Sequence, residues 1–192
     1  MGYSTDFVGA FKFSKTLTQV QREYLLKFSD TRRVKRDAEK AVKLGDITRI
    51  AAGLMDVGVE GGYFTGGLGF AGQDDDESVV DGNNPPEGQP GRWRQWEPSE
   101  SGDYLGWNGG EKFYHYVEWL QYIITHFLTP WGITITGVVR WRGESSGDKG
   151  SIVVTDNVID VRKGEKVRMT HNRHFKNETC LGWSDPPTPA RA

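Results

Sequence analysis

The sequence predicts an α+β domain: an antiparallel or mixed β-sheet with two main helices packed on one face, a two-layer sandwich with ferredoxin-like grammar. Three observations lead there. Apolar and polar residues alternate over 5–14 and again from 133 to 161; apolar residues recur at helical spacing over 19–29 and 110–129; and the order is strand, helix, irregular segment, strand, hairpin, helix, three strands. The strand–helix–strand order returns in the second half without a detectable sequence repeat.

Each element has a local cause. In TDFVGAFKFS the period of two puts Phe7, Gly9, Phe11 and Phe13 on one face of a first strand. Thr18 and Gln21 then have the spacing of a capping box, and Val20, Tyr24, Leu25 and Phe28 continue as a helical stripe. From Thr31 to Ile50 mixed charges surround Val34, Ala38, Ala41, Val42 and Leu44, the composition of short surface helices, with Arg32-Arg33-Val34-Lys35-Arg36 as part of that surface. The glycine-rich stretch GVEGGYFTGGLGFAG predicts a strand or two with tight turns, and QDDDESVVDGNNPPEGQPG reads as a long loop.

Trp93 and Trp96 on one side of Pro98–Asp103, and Leu105 and Trp107 on the other, predict a β-hairpin. A helix is expected over 110–129, with Phe113, Tyr116, Val117, Leu120, Ile123, Ile124 and Phe127 on one stripe and Pro130 and Gly132 as its stop. Ile133, Ile135, Gly137, Val139 and Trp141 then alternate with polar residues, and SIVVT and VIDVR flank the turn Asp156-Asn157. Residues 1–161 are therefore one domain, and 162–192 a basic, then Pro-containing, C-terminal extension.

Length and composition bound the function. At 192 residues, 36% hydrophobic and 12% aromatic, the chain has the makings of one globular domain. A net charge of -2 gives no bulk field to recruit nucleic acid or an anionic membrane, so any such binding needs a local patch. One cysteine, Cys180, excludes an internal disulfide framework. The N-terminus lacks a secretory pattern and no run approaches about 18 apolar residues, so a cytoplasmic protein without a membrane span is expected.

Several groups invite a functional reading beside a plain one. Gly67 to Gly72 fits a GxGxxG pattern, but Asp74, Asp75, Asp76 and Glu77 follow where a helix N-terminus should receive a phosphate, so turn glycines are the better reading. The acidic run reads first as a solvated loop; a hard-cation site with Asp81 and Glu87, whose spacing does not match a calcium loop, and a surface for a basic partner are the alternatives. Glu111, His115 and Glu118 fall on one polar stripe of the expected helix, an acid/base candidate that is equally an ordinary solvated face. Arg92, Trp93, Arg94 and Trp96 in RWRQW interleave arginines and aromatics, suited to stacking or protein contact, with sheet packing as the plain alternative. Arg162, Lys163, Lys166, Arg168, Arg173 and Lys176 form the one basic patch, for phosphate contact or plain solvation. No CxxC, P-loop or HExxH signature occurs, and His171, His174 and Cys180 fit no closed zinc pattern, so neither cofactor nor metal is expected.

The segments GYSTDFVGAFKFSKTL, TRRVKRD, GGYFTGGLGFAGQDDDESVVDGNNPPEGQPGRWRQWEP and WNGGEKFYHYVEWLQYIITHFLTPWGITITGVVRWRGE resemble a family of small phage- and mobile-element-associated proteins without an established activity, over residues 1–161. The resemblance implies context alone: an accessory role such as interference with a host process or defence system. The sequence thus predicts a non-enzymatic module whose acidic loop 73–88 and RWRQW hairpin bind a host or phage macromolecule. Two other readings remain: a nucleotide- or nucleic-acid-directed enzyme using Glu111, His115 and Glu118, and nucleic-acid binding by the extension.

Overall fold

Alternation in the first strand, β1 (Thr5–Phe13), buries Phe7, Phe11 and Phe13 while Asp6 and Lys12 stay exposed. A computed structural model describes residues 2–66 and 76–164. Thr18 closes the expected capping box with Gln21 and starts α1 (Gln19–Asp30), which buries Tyr24, Leu25 and Phe28. An insertion follows, with β2 (Lys35–Arg36), α2 (Ala38–Leu44), α3 (Ile47–Ala51), a 3-10 turn (Val59–Gly61) and β3 (Val79–Asp81). The chain then forms β4 (Trp96–Pro98), β5 (Tyr104–Trp107), α4 (Tyr116–Ile123) with a π-helical turn (Ile124–Leu128), and β6 (Ile135–Gly143), β7 (Lys149–Thr155) and β8 (Val158–Lys163).

Six strands form one sheet in the order β4-β5-β1-β6-β7-β8, every neighbouring pair antiparallel, while β2 and β3 pair separately. Between β1 and β4 the chain passes through α1 and leaves room for β5; between β5 and β6 it passes through α4 and straddles β1. This is the interleaved βαββαβ order of a ferredoxin-like sheet, extended at one side by the β7–β8 hairpin. That hairpin turns at Asp156 (φ 47°) and Asn157 (φ 70°), both left-handed, as a tight turn matched to strand twist requires. No helix among the described residues is long and apolar enough to cross a membrane.

The core is aromatic. The Phe7 ring lies 5.5 Å from Trp96, 5.4 Å from Trp107 and 4.9 Å from Tyr116, and Phe28 lies 6.3 Å from Trp119 and 5.0 Å from Phe127. Such tilted and edge-on pairs add about 0.5–1.5 kcal/mol each beyond area burial. Trp141 folds across the sheet over Gly150, where an added Cβ would come within 2.2 Å of the indole.

Four expectations need correction. The helix predicted over 110–129 begins at Tyr116, because Phe113 is drawn inward against Trp96 (5.4 Å) and Lys112 and His115 adopt left-handed backbone angles. No strand forms over 58–66; the glycines there make the 3-10 turn, and 67–72 lie outside the described residues. Arg33 and Arg36 are not surface residues but buried at 2% and 3% exposure. The sheet also continues past Val161 to Lys163.

Gly9 sits at φ 110° in the central strand, and a Cβ there would meet the Val138 carbonyl oxygen at 2.3 Å. Gly9→Ala is expected to destabilise the fold by roughly 2–3 kcal/mol, since both the backbone angle and the approach to β6 forbid a side chain. Denaturant midpoints check this; an unchanged midpoint contradicts it.

Candidate functional site

The residues singled out from sequence do not converge on one surface. Asp74 and Asp75 lie outside the described residues, and Glu77 is exposed. Asp76 accepts from the Arg36 guanidinium and from the Ser78 amide and hydroxyl; burial alone would raise its pKa, yet these hydrogen bonds hold it below the usual carboxylate range. Its charge is thus spent inside the insertion rather than shown to a partner. In RWRQW, Arg92 is exposed and Trp93 half-buried, but Arg94 and Trp96 are buried, so the expected arginine–aromatic face is divided between surface and core.

Glu111, His115 and Glu118 are all exposed, but they do not share a helical stripe: Glu111 precedes the helix and His115 is its left-handed N-cap. Arg162 and Lys163 are the ends of β8 rather than part of a tail, and Lys166, Arg168, Arg173 and Lys176 lie outside the described residues, with His171, His174 and Cys180. Among the described residues no group of three His, Cys, Asp or Glu is disposed to hold a metal.

A different polar cluster lies where α1, α4 and the ends of the insertion meet. On the π-helical turn, His126 Nδ1 stands 2.8 Å from the Tyr63 hydroxyl. Burial lowers the His126 pKa and raises that of Tyr63, so a neutral imidazole and a protonated phenol share this hydrogen bond, its direction set by the imidazole tautomer. The Tyr122 ring lies 4.2 Å from that imidazole, and its hydroxyl accepts from Gln89 Nε2 at 3.0 Å. Gln89 Nε2 also donates to the Gly62 carbonyl at 2.6 Å. Burial pushes the Tyr122 hydroxyl up to about 12.

Beside this chain two guanidinium groups face one phenyl ring: Arg33 at 4.3 Å and Arg94 at 5.4 Å from the Phe28 centroid. Burial lowers both to about 10, so both are cationic at neutral pH. Arg33 donates to the carbonyls of Thr31 (2.9 Å) and Phe64 (2.8 Å). Arg94 donates through Nη2 to the Leu25 carbonyl at 2.5 Å, while its Nε and Nη1, like Trp119 Nε1 and Gln89 Oε1, have no hydrogen-bond partner among the described residues. The Arg94 and Trp119 donors suit an oxygen acceptor such as an ordered water or a carboxylate, and the Gln89 oxygen suits a donor. Chemically the cluster is a set of fixed cations and protonated phenols beside one imidazole, His126, whose pKa burial lowers.

Sequence reasoning missed this cluster. Tyr63 hides in a glycine-rich segment, and a π turn shifts the register by one residue, so helical spacing gives His126 no special place. Compared with protein-family models, curated proteins and solved structures, the chain matches none.

His126 makes stability depend on pH in a defined window. The unfolded imidazole titrates near pH 6.5 and the folded one lower, so the unfolded chain binds a proton first as the solution is acidified. This contribution is complete above about pH 6.5, is lost as pH falls from there to the folded pKa, and is constant below it. His126→Gln should flatten that part of the Tm–pH profile relative to wild type; parallel profiles would refute the assignment.

Proposed function

We propose that the protein is a non-enzymatic accessory module that binds another protein through the insertion between α1 and β4. The observation that carries this reading is the set of apolar side chains the insertion turns outward. Ile47 is 85% exposed, Met55 75%, Val59 65%, Val42 54%, Ile50 46% and Leu44 42%. Single exposed aliphatic residues are ordinary, but a concentration of them between Val42 and Val59 is the composition of an interaction surface. Covering one such side chain with a partner gains about 1.5–3 kcal/mol before ordering costs.

The surface is also held in shape. Asp37 caps α2 through the Lys40 amide (3.0 Å) and Asp46 caps α3 through the Arg49 amide (3.1 Å). Arg49 donates from Nη1 to the carbonyls of Leu54 and Met55, both at 2.7 Å, which fixes the bend that presents Met55. Exposed Lys40, Lys43 and Asp56 supply a polar rim. The resemblance to phage- and mobile-element-associated proteins favours a host protein as partner, with interference in a host process or defence system as the role and the host cytoplasm as the place.

The test compares wild type with the double variant Ile47→Asp/Met55→Asp as tagged full-length baits in nuclease-treated host lysate. Wild type should retain a partner in near-stoichiometric amount and the variant should lose it. The variant's unfolding free energy should stay within about 0.5 kcal/mol, since both side chains are solvated in the free protein. Equal retention by both baits, or retention of nucleic acid alone in untreated lysate, sinks the reading.

A further inference from the structure

The two edges of the large sheet are treated differently. At one edge β4 is short, ends on Pro98 and is buried throughout, with α1 packed alongside. At the other, β8 is longer, has no proline and is exposed at every position but Ile159, which is half-buried. Among the described residues it pairs with β7 alone. Natural sheets blunt an edge of this kind unless it is used.

Register fixes which main-chain groups of β8 face outward. The Gly164 amide donates to the Lys149 carbonyl at 2.8 Å, and Gly150 stands opposite Lys163. Hydrogen-bonded and non-hydrogen-bonded pairs alternate along an antiparallel ladder, so Arg162, Asp160 and Val158 spend their N–H and C=O groups on β7. Those of Ile159, Val161 and Lys163 point away from the sheet.

We propose that two copies of the chain associate by antiparallel pairing of β8 with β8, with the two-fold axis at Val161, to make one continuous sheet. In this register the outward groups of Val161 meet those of Val161 of the second copy, and Ile159 meets Lys163, so every outward N–H and C=O finds a complement. The same register sets Asp160 opposite Arg162 of the second copy, twice by symmetry, at non-hydrogen-bonded positions where facing side chains are closest. Within one chain Asp160 and Arg162 are paired at 2.8 Å with side chains 58% and 52% exposed, an ion pair of little worth in isolation. In the dimer the alternating signs become cross-strand complementarity, and Val161, 36% exposed, packs on its own mate. Pairing in which Asp160 faced Asp160 would set like charges together, so the sequence selects this register over its neighbours.

Sedimentation equilibrium on the full chain tests the proposal. Wild type should be a reversible dimer. Val161→Pro removes an outward N–H at the axis and none that β7 uses, and should give a folded monomer. Asp160→Arg sets two guanidinium groups face to face at both charge positions and should weaken the dimer roughly tenfold. The exchange Asp160→Arg/Arg162→Asp should restore wild-type dissociation, which an effect on folding alone would not do. A wild-type monomer at all soluble concentrations, a dimer that survives Val161→Pro, a charge exchange without rescue, or a dimer broken by Ile47→Asp instead would each overturn it.

Discussion

A guanidinium withdrawn from water is stabilised by each N–H group that is met, and the insertion is arranged so that most of them are. Arg33, Arg36, Arg49 and Arg94 are all buried at 3% exposure or less. Arg33 and Arg49 are satisfied mostly by main-chain carbonyls, and Arg36 by Asp76 and Ser78 beside the Phe64 ring. Among the described residues the apolar cluster of the insertion holds only Ala41, Val57 and Phe64. Polar stapling therefore does the work that a second hydrophobic core does elsewhere, and because the bonds are to backbone, they dictate the path of the chain and not merely its compactness.

Two consequences meet in the same region. The inside of the insertion is largely occupied by charge, and among the described residues aliphatic side chains such as Ile47 and Val59 lie outside. At the junction with the sheet, Arg33 from the insertion and Arg94 from the strand-leading segment both stack on Phe28 of α1, which ties the two parts through one aromatic ring. The Tyr63–His126 contact adds a second tie, from the insertion to the π turn after α4.

The sheet and its helices were legible because they obey local periodicities. Phe7, Phe11 and Phe13 announce β1 by period two, the Thr18–Gln21 box announces the start of α1, and Asp156-Asn157 announces the last hairpin. The late start of α4 was not legible, because burial of Phe113 overrides a pattern that continues smoothly through His115. The buried arginines were not legible either: a basic run such as Arg32 to Arg36 signals solvent by composition, and only the positions of distant carbonyls, those of Gly62 and Phe64 above all, make it interior. The candidate site fared likewise, since only tertiary contact brings Tyr63 and Gln89 to the helical pair Tyr122 and His126.

The insertion begins and ends at one point: the Arg33 amide donates to the Arg92 carbonyl at 2.9 Å. Everything between is an excursion that leaves the βαββαβ framework and comes back to where it left, tied to it again at Phe28 and His126. The entropy of closing such a ring grows only with the logarithm of its length, so segments can lengthen, shorten or be exchanged there at little cost to the framework. The insertion is thus free to change in length and sequence while the sheet beneath it stays constant.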